Sequence, residues 1–456
     1  MPNFLHGVNV VDVNEGINRV RTSSSSVIGV IGTAPEADAL DFPLNTPILI
    51  NGSYTEAGRL GTLGTLPTAL DGILAQTGAK VVVVRIDGGS ESSSDSGASG
   101  GESSGSSENS GNENSGGTSG NEANSGESNG NESGGNNENS GESSGGTENS
   151  GGASETETSD NDASSGETII NNVIGASGDY SGVYSFLAAK STLGITPKIL
   201  CAPGFSTAEV ITELNIVANR LRAVVVADCP AGASNENLIN FVTTCASDRI
   251  YAVYPPVINT KNASVPASPY VAGVMAKTDN DEGFWVSPSN KVINGILGTS
   301  IPVDYAYGDS SCRSNYLNEQ NITTIINQNG FRVWGNRSTA GTGSYQFLCV
   351  RRTADVISES ILQSHLWAVD RNIVKNYLTD VVENVNAFMA NLKAQGAILA
   401  GKCMANKELN TSHNISQGRV YFDFEFTPAY PAEQVNFRAY LNNEDIETVL
   451  MENLAK

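Results

Sequence analysis

Residues 88 to about 168 are almost wholly Ser, Gly, Asn, Glu, Thr and Asp, with no Val, Ile, Leu, Met, aromatic, Lys or Arg among them. Such a segment has nothing to bury. Ordering backbone costs roughly 1–2 kcal/mol per residue, and with no apolar burial to oppose that cost the expectation is a solvated, disordered coil. A chain of 456 residues therefore overstates its own globular mass, because one long insertion is set apart from the rest. The insertion begins directly after a valine-rich run at 81–86 and Asp87, and near-repeats of Glu-Asn-Ser-Gly start at Glu108, Glu113, Glu138 and Glu148. Closure entropy grows only logarithmically with loop length, so an exposed loop tolerates such an expansion.

The charge is as unevenly placed as the hydrophobicity. The insertion carries sixteen acids, thirteen Glu and three Asp, of a net charge of −23, which leaves the remainder only mildly acidic. Neither part offers a basic stripe of the kind that neutralises phosphates, which argues against direct nucleic-acid binding. The longest apolar runs, such as 81–84 and 223–227, are strand-sized and far below a membrane span. The first sixteen residues, MPNFLHGVNVVDVNEG, lack a basic head followed by an apolar region, so no secretory signal is expected and synthesis in the cytosol is. Six dispersed cysteines without a C-x-x-C pair favour buried free thiols over disulfides or zinc, and no metal or cofactor is expected.

Outside the insertion the pattern is α/β. Residues 1–22 read as an extended arm in which Val8 and Val10 share one face and Val11 and Val13 take the other. From Ser26 the run VIGVIGTA is a buried strand, 42–50 leads into another, 66–77 is helical and 81–86 is again a strand. Beyond the insertion the alternation resumes, with helices expected at 183–190, 207–221 and 235–245 and strands at 198–202, 223–227 and 250–254. A proline-rich loop follows at 255–269. Past Ser300 the pattern changes, and strands expected at 331–337 and 345–352 mark a second unit. A helical stretch over 353–395 repeats Val381, Val385, Phe388 and Leu392 on one face and stops at Gly396.

The clearest strand in the chain comes near its end. Val420, Phe422, Phe424 and Phe426 alternate against Tyr421, Asp423 and Glu425, and after Pro428 and Pro431 a second alternation runs through Val435, Phe437, Ala439 and Leu441. These two stretches predict a hairpin over 420–441. A two-stranded ribbon is marginal alone, so it needs partners from this chain or another copy.

Signatures of chemistry are weak throughout. Asp87, Gly88 and Gly89 after a strand suggest a phosphate-binding turn, but the helix that would receive the anion is missing. Cys229 follows a buried strand, a place where α/β enzymes keep a nucleophile, yet none of His6, His365 and His413 is near it in sequence. Arg337, Arg351 and Arg352 suit ion pairs with acidic neighbours better than a ligand clamp. Asp279, Asp281 and Glu282 lack the spaced oxygen donors of a calcium loop.

Taken in order, FLHGVNVVDV, RTSSSSVIGVIGTAPEADALDFPLNTPILI, PKILCAPGF, DNDEGFWVSPSNKVINGILG, FRVWGNRS, FLCVRRTADVISESI and FTPAYPAEQVNFRAYL strongly resemble the contractile tail sheath proteins of myophages and of phage-tail-like bacteriocins and injection systems. The likeness spans the chain outside 88–168, and Ser338 stands where the family pattern has threonine. It implies an outer α/β domain at 23–317 interrupted by the insertion. It further implies an inner helix-and-sheet domain at 318–456, with arms at 1–22 and 442–456. The function implied is structural and non-enzymatic, with no cofactor. Stacked rings of identical subunits surround a tail tube protein, meet baseplate and tail terminator proteins, and contract to drive the tube through a cell envelope. The particle is the tail of a virion assembled in the host bacterial cytoplasm, or a headless device built alike. Subunits of such sheaths join by strand exchange, which here implicates Val8, Val10, Val11, Val13, Val420, Phe422, Phe424, Phe426, Val435, Phe437, Ala439, Leu441, Ile446 and Leu450. Two other readings remain beside it. An α/β enzyme would use Cys229, and a surface adhesin would use the insertion as a stalk, although a stalk joins two domains whereas this one interrupts a single α/β unit.

Overall fold

Four successive valines, Val81 to Val84, put apolar side chains on both sides of a strand, and only a sheet covered on both faces buries them all. The computed structural model, which describes residues 20, 22–88, 161–446 and 450, builds that sheet. In chain order the strands of this part are β1 (Ile28–Thr33), β2 (Pro47–Asn51), β3 (Lys80–Ile86), β4 (Ile199–Cys201), β5 (Val224–Asp228), β6 (Ile250–Val253), β7 (Val257–Asn259), β8 (Ser264–Val265), β9 (Ile296–Thr299), β10 (Ile322–Asn327) and β11 (Phe331–Trp334). Eight of them form one sheet in the order β11-β10-β6-β5-β4-β1-β3-β2, and β8-β7-β9 form a small second one. The large sheet is parallel from β10 to β3 and antiparallel at its two edges, where β11 joins β10 and β2 joins β3.

The helices of this part are α1 (Tyr54–Gly58), α2 (Thr65–Leu74), α3 (Asn161–Ile174), α4 (Ala189–Leu193), α5 (Ala208–Leu221), α6 (Asn235–Thr244), α7 (Ser268–Asp281) and α8 (Arg313–Glu319). Val81 and Val83 join Val30, Val224 and Val226 in the layer under α1, α2 and α7. Val82 and Val84 join Ile31, Leu200 and Val225 in the layer under α3, α5 and α6. Polar N-caps set where helices begin: the hydroxyls of Thr207 and Ser234 accept from Val210 N and Asn237 N, both at 3.3 Å, at the starts of α5 and α6. Gly32 lets α2 approach β1, since a Cβ there would lie 2.2 Å from Thr65 Oγ1.

Several expectations change on meeting the structure. The expected strand at 331–337 exists as β11, but it pairs with β10 inside the α/β sheet, so the boundary expected at 318 falls within α8 and ahead of two strands of the first domain. The expected strand at 345–352 is instead the start of α9 (Leu348–Ser364). Its arginines are buried by acidic partners, and a two-sided burial pattern over a few residues reads equally as strand. The helix expected at 183–190 divides into a 3-10 helix, Gly182–Ala188, and α4. The proline-rich loop holds β7 and β8. Helix α7 follows it, buried on nearly every side and so without the one-sided period that reveals a helix in sequence. Finally, α3 begins inside the expected coil, because Ile169, Ile170, Val173 and Ile174 pack under the sheet and extend a helix back to Asn161. Residues 89–160 of the expected coil and 1–19 of the N-terminal arm, with Val8, Val10, Val11 and Val13, lie outside the described residues.

The C-terminal part comprises α9, α10 (Lys375–Ala394), β12 (Ile398–Ala405), α11 (Ser412–Ser416) and β13 (Phe422–Pro428). As expected, α10 buries Val381, Val385, Phe388 and Leu392 and ends before Gly396, whose φ is +81°. Val385, Phe388 and Leu392 form a third apolar cluster with Ile357, Ile398 and Cys403.

Helix α9 binds this part to the α/β body through buried charges. Arg249 Nη2 donates to Asp355 Oδ1 at 2.8 Å, Arg351 Nη2 reaches the same oxygen at 2.9 Å, and Arg352 Nη1 donates to Asp279 Oδ1 at 2.7 Å. Lys198 pairs with Glu359 and donates to Leu221 O at 2.6 Å. Burial lowers the pKa of this lysine and the Glu359 carboxylate opposes that shift. The arginines at 351 and 352 thus make the ion pairs expected of them.

Candidate assembly surface

Strands β12 and β13 form a two-stranded antiparallel sheet in which Cys403 faces Phe424 and Gly401 faces Phe426, with an irregularity between Ile398 and Ala400. The hairpin expected over 420–441 is not formed. Its first half is β13, but the partner is β12, and residues 430–442 lie in no helix or strand. The alternation at 435–441 is that of a pleated strand, yet alternation carries no information about which chain supplies the pairing edge.

That segment is exposed in an unusual way. Every residue from 432 to 446 is exposed, and Phe437 and Leu441 are each 92% accessible. Val435, Ala439, Ile446 and Leu450 are exposed as well. A monomer rarely leaves a row of large apolar side chains in water, and such a row marks an interaction surface. The residues expected to act together therefore separate into two groups. Phe422 and Phe426 pack on the third apolar cluster, Phe424 is 38% exposed and Val420 is half-buried, whereas Val435, Phe437, Ala439, Leu441, Ile446 and Leu450 are all exposed.

The root of the exposed segment is fixed. Arg337 Nε and Nη2 donate to the two carboxylate oxygens of Glu433 at 2.8 and 2.6 Å, a bidentate geometry. The same guanidinium lies 5.6 Å from the Phe347 ring centroid, and Phe347 meets Tyr430 edge-on at 6.1 Å. Sequence reasoning gave Arg337 an acidic partner without finding Glu433, which is 96 residues away.

A groove of about 620 Å³ lies beside β13, lined by residues of α9, α10 and the intervening turn. His365, at its edge, has Nδ1 2.7 Å from Ile361 O and its ring 6.1 Å from that of Trp367, a structural setting. His413 is an exposed residue of α11, and His6 lies outside the described residues.

The chemical candidates fare poorly. Cys229 is buried, and burial, with Asp228 adding to it, pushes its thiol well above the usual range, the opposite of an activated nucleophile. Asp228 itself is raised to about 6 by burial, opposed by hydrogen bonds from Ser268 N at 2.8 Å and Ser268 Oγ. Asp279 is committed to Arg352, and Glu282 pairs with Lys291. Among the described residues no group of acids, histidines and cysteines has the arrangement of a metal site, and no helix is long and apolar enough to cross a membrane.

Three family models match in chain order: the tail sheath protein Gp18 domain III N-terminal region over 25–86, the phage tail sheath protein central domain over 176–339, and the phage tail sheath C-terminal domain over 342–442. A prophage major tail sheath protein of Pseudomonas aeruginosa is 40% identical over 283 residues, covering 61% of this chain and 73% of that one. The chain belongs to the phage tail sheath family. This sheath protein is a structural subunit of a contractile tail, not an enzyme. It is also 26% identical to the tail sheath protein of Escherichia phage P2 over 97% of both chains. In fold it is similar to the sheath of an extracellular contractile injection system in its contracted state, with a TM-score of 0.63, 15% identity and coverage of 98% and 99% of the two chains. The anti-feeding prophage helical sheath, also contracted, gives 0.60 at 16% identity and 97% and 100% coverage. The central sheath model ends at 339 and the C-terminal one begins at 342, which agrees with β10 and β11 belonging to the first sheet. The span 87–175, which contains the insertion, falls between matched segments.

Proposed function

We propose that this sheath protein polymerises as stacked rings around a tail tube protein, bounded by baseplate and terminator proteins, and that its subunits are joined by exchanged strands. The observation that carries this reading is the solvent-facing row Val435, Phe437, Ala439 and Leu441, following in the chain a sheet that has two strands among the described residues. An edge with unmet N–H and C=O groups and a loose strand with unmet apolar side chains satisfy each other when they come from different copies. With Glu433 held at Arg337, the segment is anchored at its root and pairs with no strand of its own chain among the described residues, which suits service to a neighbour. Ile446 and Leu450 extend the same contact, and Val8, Val10, Val11 and Val13 supply a second exchanged segment at the other end of the chain.

On this reading the α/β body moves as a rigid unit. Contraction changes how bodies pack, while the exchanged strands keep neighbours attached. The place of action is the tail of a particle assembled in the bacterial cytoplasm. A headless injection device would use the same subunit, and one electron micrograph of the whole particle distinguishes the two.

Removal of Asn443–Lys456, or of residues 1–16, is expected to leave a folded monomer that no longer forms tubes or rings under the electron microscope. Normal polymerisation of either truncated chain contradicts strand exchange.

A further inference from the structure

The groove beside β13 opens to solvent. It measures about 620 Å³, and apolar side chains of Ile361, Ile373, Val381, Val385, Phe422 and Phe424 form much of its wall. Val381 and Val385 lie on the buried face of α10, so the groove reaches down to the third apolar cluster. Its volume and apolar walls suit an extended stretch of peptide with several aliphatic side chains.

The position of the N-terminal chain identifies an occupant. Val20 is packed against the same cluster that contains Ile361, Val385 and Phe422. Three residues later Ser23 N donates to Ser360 Oγ at 2.9 Å, next to Ile361. The nineteen residues before Val20 thus start from the cluster that forms the groove wall. They include Val8, Val10, Val11, Val13 and Ile17. At roughly 3.3 Å per extended residue they have more than enough reach to run along it.

We propose that in the free subunit residues 1–19 fold back onto their own groove and cover it, and are exchanged into a neighbouring subunit only on assembly. This rests on the strand-exchange reading above and adds to it how premature polymerisation is held back. A tether this short gives the segment an effective concentration on the order of millimolar at its own groove. A second dilute subunit does not compete with that. A growing sheath end does, because it presents several acceptor contacts at once. The same contacts are then made within one chain before assembly and between chains after it, as in a domain swap.

The experiment uses full-length protein in its monomeric size-exclusion fraction, with the photoreactive residue p-benzoylphenylalanine in place of Val10. Irradiation is expected to give an adduct at monomer mass, linking position 10 to peptides containing residues 361–385 or 420–424. Adducts found only at dimer mass or above, adducts to peptides elsewhere, or no adduct at all overturn the proposal. A second readout is hydrogen exchange of the Phe422–Phe426 amides in monomers with and without residues 1–19, expected to be about tenfold faster without them; an unchanged rate also overturns it. The two ideas fail separately. If the chain lacking residues 1–16 polymerises normally, strand exchange by this arm is wrong whatever the cross-link shows. If that chain does not polymerise and no intramolecular adduct forms, exchange stands and self-occupancy does not.

Discussion

The eight-stranded sheet and the β12–β13 pair meet the same need, burial of apolar side chains with all backbone groups bonded, in opposite ways. In the large sheet both faces lie under helices and Val81, Val82, Val84, Leu200 and Val225 are within 1% of full burial. In the small sheet one face rests on α10, while Leu399, Met404 and Phe424 are exposed at 62%, 38% and 38%, and the chain continues into the uncovered segment with Phe437 and Leu441. The first region is complete within one chain. The second leaves apolar side chains uncovered by its own chain, and the charged seam along α9 holds the two together.

This contrast can be broken by measurement. The largest effect is expected at the seam: Asp355→Ala leaves Arg249 and Arg351 facing each other without their shared carboxylate and should cost about 3–5 kcal/mol in urea unfolding. A loss below about 1 kcal/mol would mean the body does not depend on that seam. Next comes a pH effect confined to the body. Because Asp228 has its folded pKa raised from 3.8 to about 6, the folded state holds its proton more tightly than the unfolded one. Its contribution is fully present below about pH 4 and is lost as pH rises through about 6, a change of up to roughly 3 kcal/mol. Asp228→Asn should flatten unfolding free energy across that window, and an unchanged slope would locate the titration elsewhere. The smallest effect on stability is expected in the exposed segment, where Phe437→Ser should shift unfolding by no more than about 0.5 kcal/mol. The same variant should fail to form sheaths. A marked loss of monomer stability would show that this segment belongs to the body after all.

What was legible in the sequence follows the same division. Apolar runs identified β1, β3 and β5, and the strand–helix alternation identified α5 and α6, because these signals are local. Helix α7 hid because burial all round erases periodicity. Strands β10 and β11 were assigned to the wrong unit because sheet membership is settled by a partner some 70 residues earlier, at Ala252 and Val253. In the assembly surface the apolar row at 435–441 was plain from alternation. Its pairing was not, since β13 pairs with β12 and Glu433 is held by Arg337, contacts made far along the chain from the row itself. The groove had no sequence signal at all, because its walls come from three elements whose apolar residues each look like ordinary core.

One contact seen from the body has a practical meaning. Asn172 Nδ2 donates to Asp87 O at 3.2 Å, so the last residues of β3 are stapled to the helix with which the described chain resumes. A clasp at that point makes the sheet indifferent to the length of chain between Gly88 and Asn161. It is a built-in cloning port: an epitope, enzyme or affinity tag spliced between Gly88 and Asn161 is expected to leave the sheet folded.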